Sequence, residues 1–560
     1  MPIVMTDERA QHWLTFLRSA AATPQALRAP QLRAAHILYP LDPPSVIDVI
    51  DLWLGAERVA PADELAELMV TLYPEQAGAW FCRGYVLQRQ HQHAQALAMY
   101  ERARMLDANY PSLRNNMAAA LRFGAGDIER ALALWEEAVH VDPCDAKAWI
   151  NLAGAYRECG ELARALEAGA QAVMLAPDDP LALNNAALAL KEAGRWEQAL
   201  ALSLRAARFG PQDPAIQFNL ALMHLVLGDY DQGLPLYEAR WEGSTELAGH
   251  RPALLAPPWH GEPLQGKTLL LWGEQGMGDI LQFCRYVPLL AQVVHAQGGR
   301  LVWNTAPTAM RLFARAFGAH VDALVTGGQE SLPRYDYEIG LLSLPLWAET
   351  RPDTIPSPGP YLHADPAAVP AWRARFAAEP RLKVGLVWTG SAGHARNPFR
   401  SVPLEALAAK LAPLQTDVAF YSLQMGAGDE LAPLAAEGFA IADLTTGWTD
   451  FEDTAACLEA LDVVITVCTS VAHLAGALGR PTWVLLDQNP HWVWGLARED
   501  CPWYASARLF RQPAFGRWDS VLDAVAAALT ERVAQPPAPG EATPTASPPG
   551  EADPQNGVSV

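Results

Sequence analysis

Positive charge is sparse in this sequence: 41 Lys and Arg stand against 62 Asp and Glu, for a formal charge of −21 at pH 7. Binding to nucleic acid or to an anionic membrane needs a basic patch, so neither is an expected partner. Cysteine is sparse as well. The seven (Cys82, Cys144, Cys159, Cys284, Cys457, Cys468, Cys501) are scattered through 560 residues without CxxC spacing. That argues against a disulfide framework or a zinc cluster and fits a reducing, cytoplasmic setting. No stretch reaches about 18 uncharged apolar residues, so no membrane span is expected. The opening "MPIVMTDERAQHWL" lacks the basic-then-apolar pattern of a secretory leader.

What is present is a period. Pro143, Pro177 and Pro211 are spaced by 34 residues, and Pro74 lies 34 before Ala108, itself 35 before Pro143. Ala165 and Ala199, Ala172 and Ala206, and Leu152 and Ala186 recur in the same register. A 34-residue unit with small residues at fixed offsets and a terminal proline is the tetratricopeptide pattern. Each unit is two antiparallel helices that approach closely at the alanines, with proline ending the second. "AWFCRGYVLQRQHQHAQALAMYERARMLDANY" shows it with Trp80, Gly84, Ala96, Tyr100 and Ala103. The unit at 111–143 carries one extra residue near Gly124 to Asp127, and 219–242 reads as a degenerate closing repeat. Residues 1–76 are expected to form a helical cap broken at Pro40, Pro43 and Pro44, with the repeats over 77–242. Stacked helix pairs offer a concave surface suited to a peptide or protein partner.

From residue 251 the pattern changes. "KTLLLW", "GRLVWNT", "HVDALVT", "YEIGLLSL", "KVGLVWTG", "VAFYSLQ", "VVITVCTS" and "PTWVLLD" read as strands. They alternate with helix-like stretches such as "DILQFCRYVPLLAQVV", "LEALAAKLAPL" and "SVAHLAGALG". Alternation of this kind predicts βαβ units and parallel sheets, here in two layers over 251–364 and 365–530. The Pro, Gly and Ala content of 534–560 predicts a disordered tail. The overall expectation is an α-superhelix followed by α/β, an α + α/β chain.

One junction stands out. In "TLLLWGEQGMGDILQFCRYVPLL", Gly273, Gly276 and Gly278 follow the first strand and allow a tight turn with close backbone approach, and Asp279 opens the next helix. The spacing is neither GxGxxG nor a Walker sequence. On local grounds Asp279 is equally a helix-capping residue.

Taken together, "GEQGMGDILQFCRYVPLL", "VGLVWTG…RSVPLEAL", "SLQMG", "VVITVCTSVAHLAGALGRPTWVLL" and "HWVWGLAREDCPWYASARLFRQ" resemble the tetratricopeptide-containing bacterial glycosyltransferases. Their catalytic half is similar to the heptosyltransferases of glycosyltransferase family 9 and, more distantly, to the O-linked N-acetylglucosamine transferases. The resemblance implies a GT-B fold: two Rossmann-like domains, the first on the acceptor side and the second on the nucleotide-sugar side. It implies that Asp279, the aspartate of the Gly-Asp pair, is the general base that takes the acceptor's proton. Gly276 and Gly278 would line the same cleft loop.

The family pattern also places a basic residue, here Arg400, near the donor phosphates with Ser401 beside it. It matches His473 and the turn at Thr469 and Ser470, whose amides can face a diphosphate. Gln424 stands where related enzymes contact the nucleotide, and Trp388, Thr389 and Gly390 end a strand of the same cleft. Surface solvation of Arg400 and plain packing of His473, Gln424 and Trp388 are the structural alternatives. Two departures touch the donor side. Cys468 replaces the usual aspartate before the threonine, and "HWVW" at 491–494 replaces an acid and an arginine around the tryptophans. A low-pKa thiol at Cys468 is one further possibility. "DYE" (Asp336 to Glu338) resembles a metal-binding DxD motif, but GT-B enzymes work without metal, so neither metal nor cofactor is expected.

The resemblance implies an inverting transfer from a nucleotide sugar to an acceptor, expected to be a protein hydroxyl chosen by the repeats. The alternative is a tetratricopeptide scaffold whose transferase half is inactive, suggested by Cys468. A lipopolysaccharide heptosyltransferase would have no need of a repeat array.

Overall fold

The computed structural model describes residues 7–22, 43–356 and 359–535. It divides into two compact units, Met1–Arg251 and Pro252–Val560. Pro40 and nearly all of the tail segment 534–560 lie outside the described residues.

The first unit is helical, and its turns repeat with the sequence. Helices Ala77–Arg89 and His93–Leu106 pair, as do Ala146–Glu158 with Leu162–Leu175 and Pro180–Glu192 with Trp196–Phe209. Asp145, Asp179 and Asp213, one per repeat, cap the first helix of each pair through a side-chain oxygen. The residue six beyond the proline reaches back to its carbonyl: Trp80 Nε1 donates to Pro74 O at 2.8 Å and Trp149 Nε1 to Pro143 O at 3.0 Å. Small residues are required where helices touch. A Cβ on Gly169 would stand 3.0 Å from the Ala186 backbone.

The extra residue near Gly124 has a structural counterpart. Helix Leu113–Ala120 continues into a π-helical turn over Leu121–Ala125, which absorbs one residue without breaking the pair with Ile128–Val141. Pro43 and Pro44 open the helix Pro43–Gly55, where a first-turn proline forfeits no intrahelical bond; the residues just before them, Pro40 included, lie outside the described residues. Tyr230–Tyr237 and the short Arg240–Gly243 close the unit.

The second unit holds two parallel sheets. The first comprises β1 (Thr268–Trp272), β2 (Arg300–Asn304), β3 (Ala323–Val325) and β4 (Tyr337–Gly340), in the order β3-β2-β1-β4. The second comprises β5 (Leu382–Val387), β6 (Val418–Ser422), β7 (Ile441–Asp443), β8 (Val463–Val467), β9 (Thr482–Leu486) and β10 (Ala507–Arg511). Its order, β7-β6-β5-β8-β9-β10, is the doubly wound arrangement with the chain reversing direction across the sheet between β5 and β8. The architecture is α + α/β, with two parallel, Rossmann-like sheets in the second unit.

The strands predicted from sequence omit β7 and β10. Both are edge strands of the second sheet; β7 is a three-residue run whose positions are only partly covered, and β10 ("ARLFR") carries an arginine near each end. "DILQFCRYVPLLAQVV" is not one helix. It splits at the 3-10 turn Cys284–Tyr286, because Pro288 has no amide to continue the ladder. Among the described residues no helix is long and apolar enough to cross a membrane.

The two sheets of this unit are pinned together at named points. Helix Met277–Phe283 after β1 packs on helix Ser470–Ala477 after β8. Arg285, 3% exposed, donates to Trp503 O at 2.8 Å and to Tyr361 Oη at 3.1 Å, and lies over the rings of Tyr361, Trp503 and Tyr504. Arg311 bridges to Asp450 and Asp453, and Arg315 to Glu452.

Candidate active site

In a doubly wound sheet the ends of the two strands flanking the reversal splay apart and leave a crevice. Here those ends are Trp388 to Gly390 after β5 and Cys468 to Ser470 after β8. Asn397 stitches the first of them: its Oδ1 accepts from Gly390 N at 2.9 Å and its Nδ2 donates to Thr389 Oγ1 at 3.0 Å. Ser401 Oγ lies 2.7 Å from Thr389 Oγ1. Gln424 Oε1 accepts from Thr389 N at 3.3 Å, so its amide also supports this loop.

Arg400 joins the two strand ends. Its Nη1 donates to Cys468 O at 2.9 Å and its Nε to Asn397 Oδ1 at 3.3 Å. Half-buried and held from both sides, it is not a solvated surface arginine. Gly390 is tightly placed, for a Cβ there would collide with the guanidinium. Across the crevice mouth, Thr469 Oγ1 pairs with Thr466 Oγ1 at 3.0 Å, and no side chain caps the first turn of helix Ser470–Ala477.

A cavity of about 480 Å³ opens beside this cluster, lined by Trp388, Thr389, Ser401, Glu405 and Glu430. Trp388 Nε1 donates to Glu430 Oε2 at 3.0 Å in its wall. The cavity belongs to the second sheet alone, and Asp279 does not line it.

Asp279 comes from the other sheet. Its Oδ2 accepts from Gly276 N at 3.1 Å, so the capping role is real. Its Oδ1 faces His491 Nε2 at 3.9 Å, and a fifth of the side chain is solvent-exposed (20%). Burial pushes its carboxyl up to about 6, the Gly276 amide and Arg400 pull the other way, and Glu274 adds to the rise. It thus titrates close to neutrality while retaining an open edge.

The glycines around Asp279 differ from expectation in how they act. None of Gly273, Gly276 and Gly278 has a positive φ; the left-handed residue of the turn is Gln275, at φ 61°. The glycines are needed for proximity instead. A Cβ on Gly278 would stand 2.9 Å from His473 Cδ2 and 3.7 Å from Ser470 Cα.

His473 itself is placed differently from a ligand-facing residue. It is 4% exposed, its Nδ1 is 3.0 Å from Tyr504 Oη, and its ring stacks on Trp494 at 5.2 Å. Burial drives its pKa well below the usual histidine range, so it is neutral. Cys468 is not an activated thiol: burial raises its pKa against the pull of Arg400, while Trp494 Nε1 donates to its sulfur at 3.1 Å. The "DYE" acids hold structure. Asp336 accepts from Thr268 N at 2.8 Å and pairs with Lys267, and Glu338 accepts from Trp272 Nε1. Among the described residues no group of three or more His, Cys, Asp or Glu converges to hold a metal.

His491 is the residue sequence reasoning left out of the site. It was visible only as part of the departure at 491–494, where nothing local signals that a loop after β9 meets the loop after β1.

Comparison with known proteins identifies the repeats. The tetratricopeptide repeat family matches residues 116–180 and 184–244. Protein FlbA of Caulobacter vibrioides is 30% identical over 295 residues, 49% of this chain and 48% of that protein. The TPR repeat-containing thioredoxin TTL4 of Arabidopsis thaliana is 42% identical over 77 residues, 14% of this chain and 11% of that protein. The chain therefore spans about half the length of one curated relative and about a tenth of the other. A solved glycosyl transferase family 9 structure from Veillonella parvula aligns over 48% of this chain and 90% of its own, at 11% identity and a TM-score of 0.35.

Proposed function

We propose that the second unit is a glycosyltransferase that moves a sugar from a nucleoside-diphosphate donor to a hydroxyl. The observation that carries the reading is Asp279: a carboxyl that burial raises to about 6, with one oxygen held by Gly276 N and a side chain one-fifth exposed, in the field of the Arg400 that joins the two strand ends. A base must lose its proton near the working pH and be open to the nucleophile, and the raised pKa and partial exposure of this carboxyl support that role.

In this reading the donor diphosphate lies at the β5–β8 reversal, where Arg400 and the uncapped amides at Ser470 neutralise charge on the leaving group. Thr389, Ser401 and Gln424 shape the loop against which the nucleotide sits. The acceptor hydroxyl gives its proton to Asp279 and attacks the anomeric carbon from the face opposite the diphosphate, so the centre inverts. No step in this scheme calls for a metal. The tetratricopeptide repeats hold the acceptor, a protein segment, on their concave face.

One feature favours a second reading, in which the repeats form a scaffold beside an inactive domain: a thiol, kept protonated, occupies position 468. The deciding experiment is release of nucleoside diphosphate from UDP-, GDP-, ADP- and dTDP-linked sugars, with Asp279→Asn as control. Turnover of one donor that is lost in the variant supports the transferase. Absence of both turnover and nucleotide binding supports the scaffold.

A further inference from the structure

We propose that His491 is the second contact of the acceptor oxygen: one hydroxyl, seated between Asp279 Oδ1 and His491 Nε2, gives its proton to the carboxylate while accepting a hydrogen bond from the imidazole. The inference rests on the transferase reading above and assigns that site a residue beyond the base.

The geometry selects it. The two atoms are 3.9 Å apart, too far for a direct hydrogen bond. An oxygen about 2.8 Å from each closes that gap with an angle near 90° at the oxygen, which a hydroxyl with one proton and two lone pairs can satisfy. The other carboxylate oxygen is engaged by Gly276 N. His491 Nδ1 is buried with no hydrogen-bond partner. A proton there would be a buried donor without an acceptor, whereas a proton on Nε2 points toward Asp279, so the neutral ring carries it on Nε2.

The surroundings keep the ring neutral. Burial lowers its pKa to about 3, and His394 and Arg400 act in the same direction. Asp279 faces Glu274 and Arg400 in addition to His491, and the Cys468 thiol stands nearby in the field of both. His491 therefore works as a hydrogen-bond donor and not as an acid.

In the step itself the hydroxyl proton passes to Asp279 and one lone pair forms the new bond to the anomeric carbon. The bond from that carbon to the diphosphate oxygen breaks, and its electrons leave with the nucleoside diphosphate. The second lone pair stays on the His491 N–H, and Asp279 later returns its proton to water.

The test compares His491→Phe and His491→Gln in the release of nucleoside diphosphate from the UDP-, GDP-, ADP- and dTDP-hexose panel, with glycerol as added acceptor. Phe should slow turnover about tenfold at saturating donor, the loss of one hydrogen bond, with the donor KM unchanged. Gln, which keeps an N–H, should recover most of the rate. His491→Asp should move the acid limb of the pH profile upward, because a second carboxylate beside Asp279 disfavours its charged form. Equal loss in Phe and Gln, an unchanged rate in Phe, or a raised donor KM at full rate would each overturn the assignment. If the wild-type protein turns over no donor, the transferase reading fails, and the pairing is read from 15N-histidine NMR of wild type and Asp279→Asn. A shift of the His491 Nε2 resonance in the variant upholds the contact, and identical spectra overturn it.

Discussion

Gly278 and His473 meet so closely that a Cβ on the glycine would lie 2.9 Å from Cδ2 of the histidine. The histidine cannot retreat, because Trp494 stacks on it and Tyr504 holds its Nδ1. Gly278→Ala should therefore force the Met277–Phe283 and Ser470–Ala477 helices apart and cost about 1–3 kcal/mol, read as a lowered Tm. Gly393→Ala, whose Cβ meets nothing nearer than Ser391 Oγ at 3.8 Å, should leave Tm in place.

Asp279→Asn keeps the shape and removes the base. Turnover should fall by about 10²–10⁴-fold, with nucleotide affinity preserved. In the wild type the rate should fall below pH about 6, where the carboxyl takes up its proton. A rate flat from pH 7 to pH 5 would remove Asp279 from the chemistry.

Arg400→Ala separates the donor site from the base. A nucleotide at about 100 times its Kd stabilises the wild-type fold by roughly 2.7 kcal/mol, and a tenfold weaker Kd cuts that to about 1.4 kcal/mol. The ligand-induced rise in Tm should shrink accordingly in the variant, while Arg381→Ala, paired with Glu379 away from the crevice, should bind as wild type does.

Stability should fall as the solution is acidified, with a particular dependence on three residues. Burial lowers the pKa of His473 and takes that of His491 from 6.5 to about 3. Below pH 6.5 the unfolded chain binds protons at these sites that the folded chain refuses, so stability drains away as pH falls through that window. Asp279 acts with the opposite sign, because its folded carboxyl is protonated near 6 and its unfolded one only near 3.8. The loss of Tm between pH 7 and pH 5 should be shallower in His491→Gln and steeper in Asp279→Asn.

The repeats were legible because packing imposed a 34-residue period on prolines and alanines, and the added residue near Gly124 marked the turn that became π-helical. The aspartate caps at 145, 179 and 213 obey the same period but stand outside the apolar pattern that draws the eye. The parallel strands showed as apolar runs where both faces are buried, as in β8 and β9, and two of the four edge strands were missed, β7 with its partly covered residues and β10 with an exposed arginine in its run. Arg400, Thr389 and Ser401 come together because Asn397 folds the loop after β5 back on itself and Arg400 reaches from it to the end of β8. His491 did not show, since its meeting with Asp279 is a tertiary event between loops more than 200 residues apart. The strain in the β1 turn likewise settled on Gln275 although glycines flank it, which no count of glycines would foretell.

Arg285 has a mechanical consequence. Its guanidinium leaves the first sheet's helix and is received by a carbonyl, a phenol and three aromatic rings beyond it. Its Nε donates at 2.9 Å to Gln282 O on the arginine's own side, so removing the guanidinium would leave the receiving carbonyl and phenol of the seam without this donor. Arg285 is thus a rivet sunk between the two sheets, while the Arg311 clasp to Asp450 and Asp453 lies at the solvent-exposed edge of the same seam.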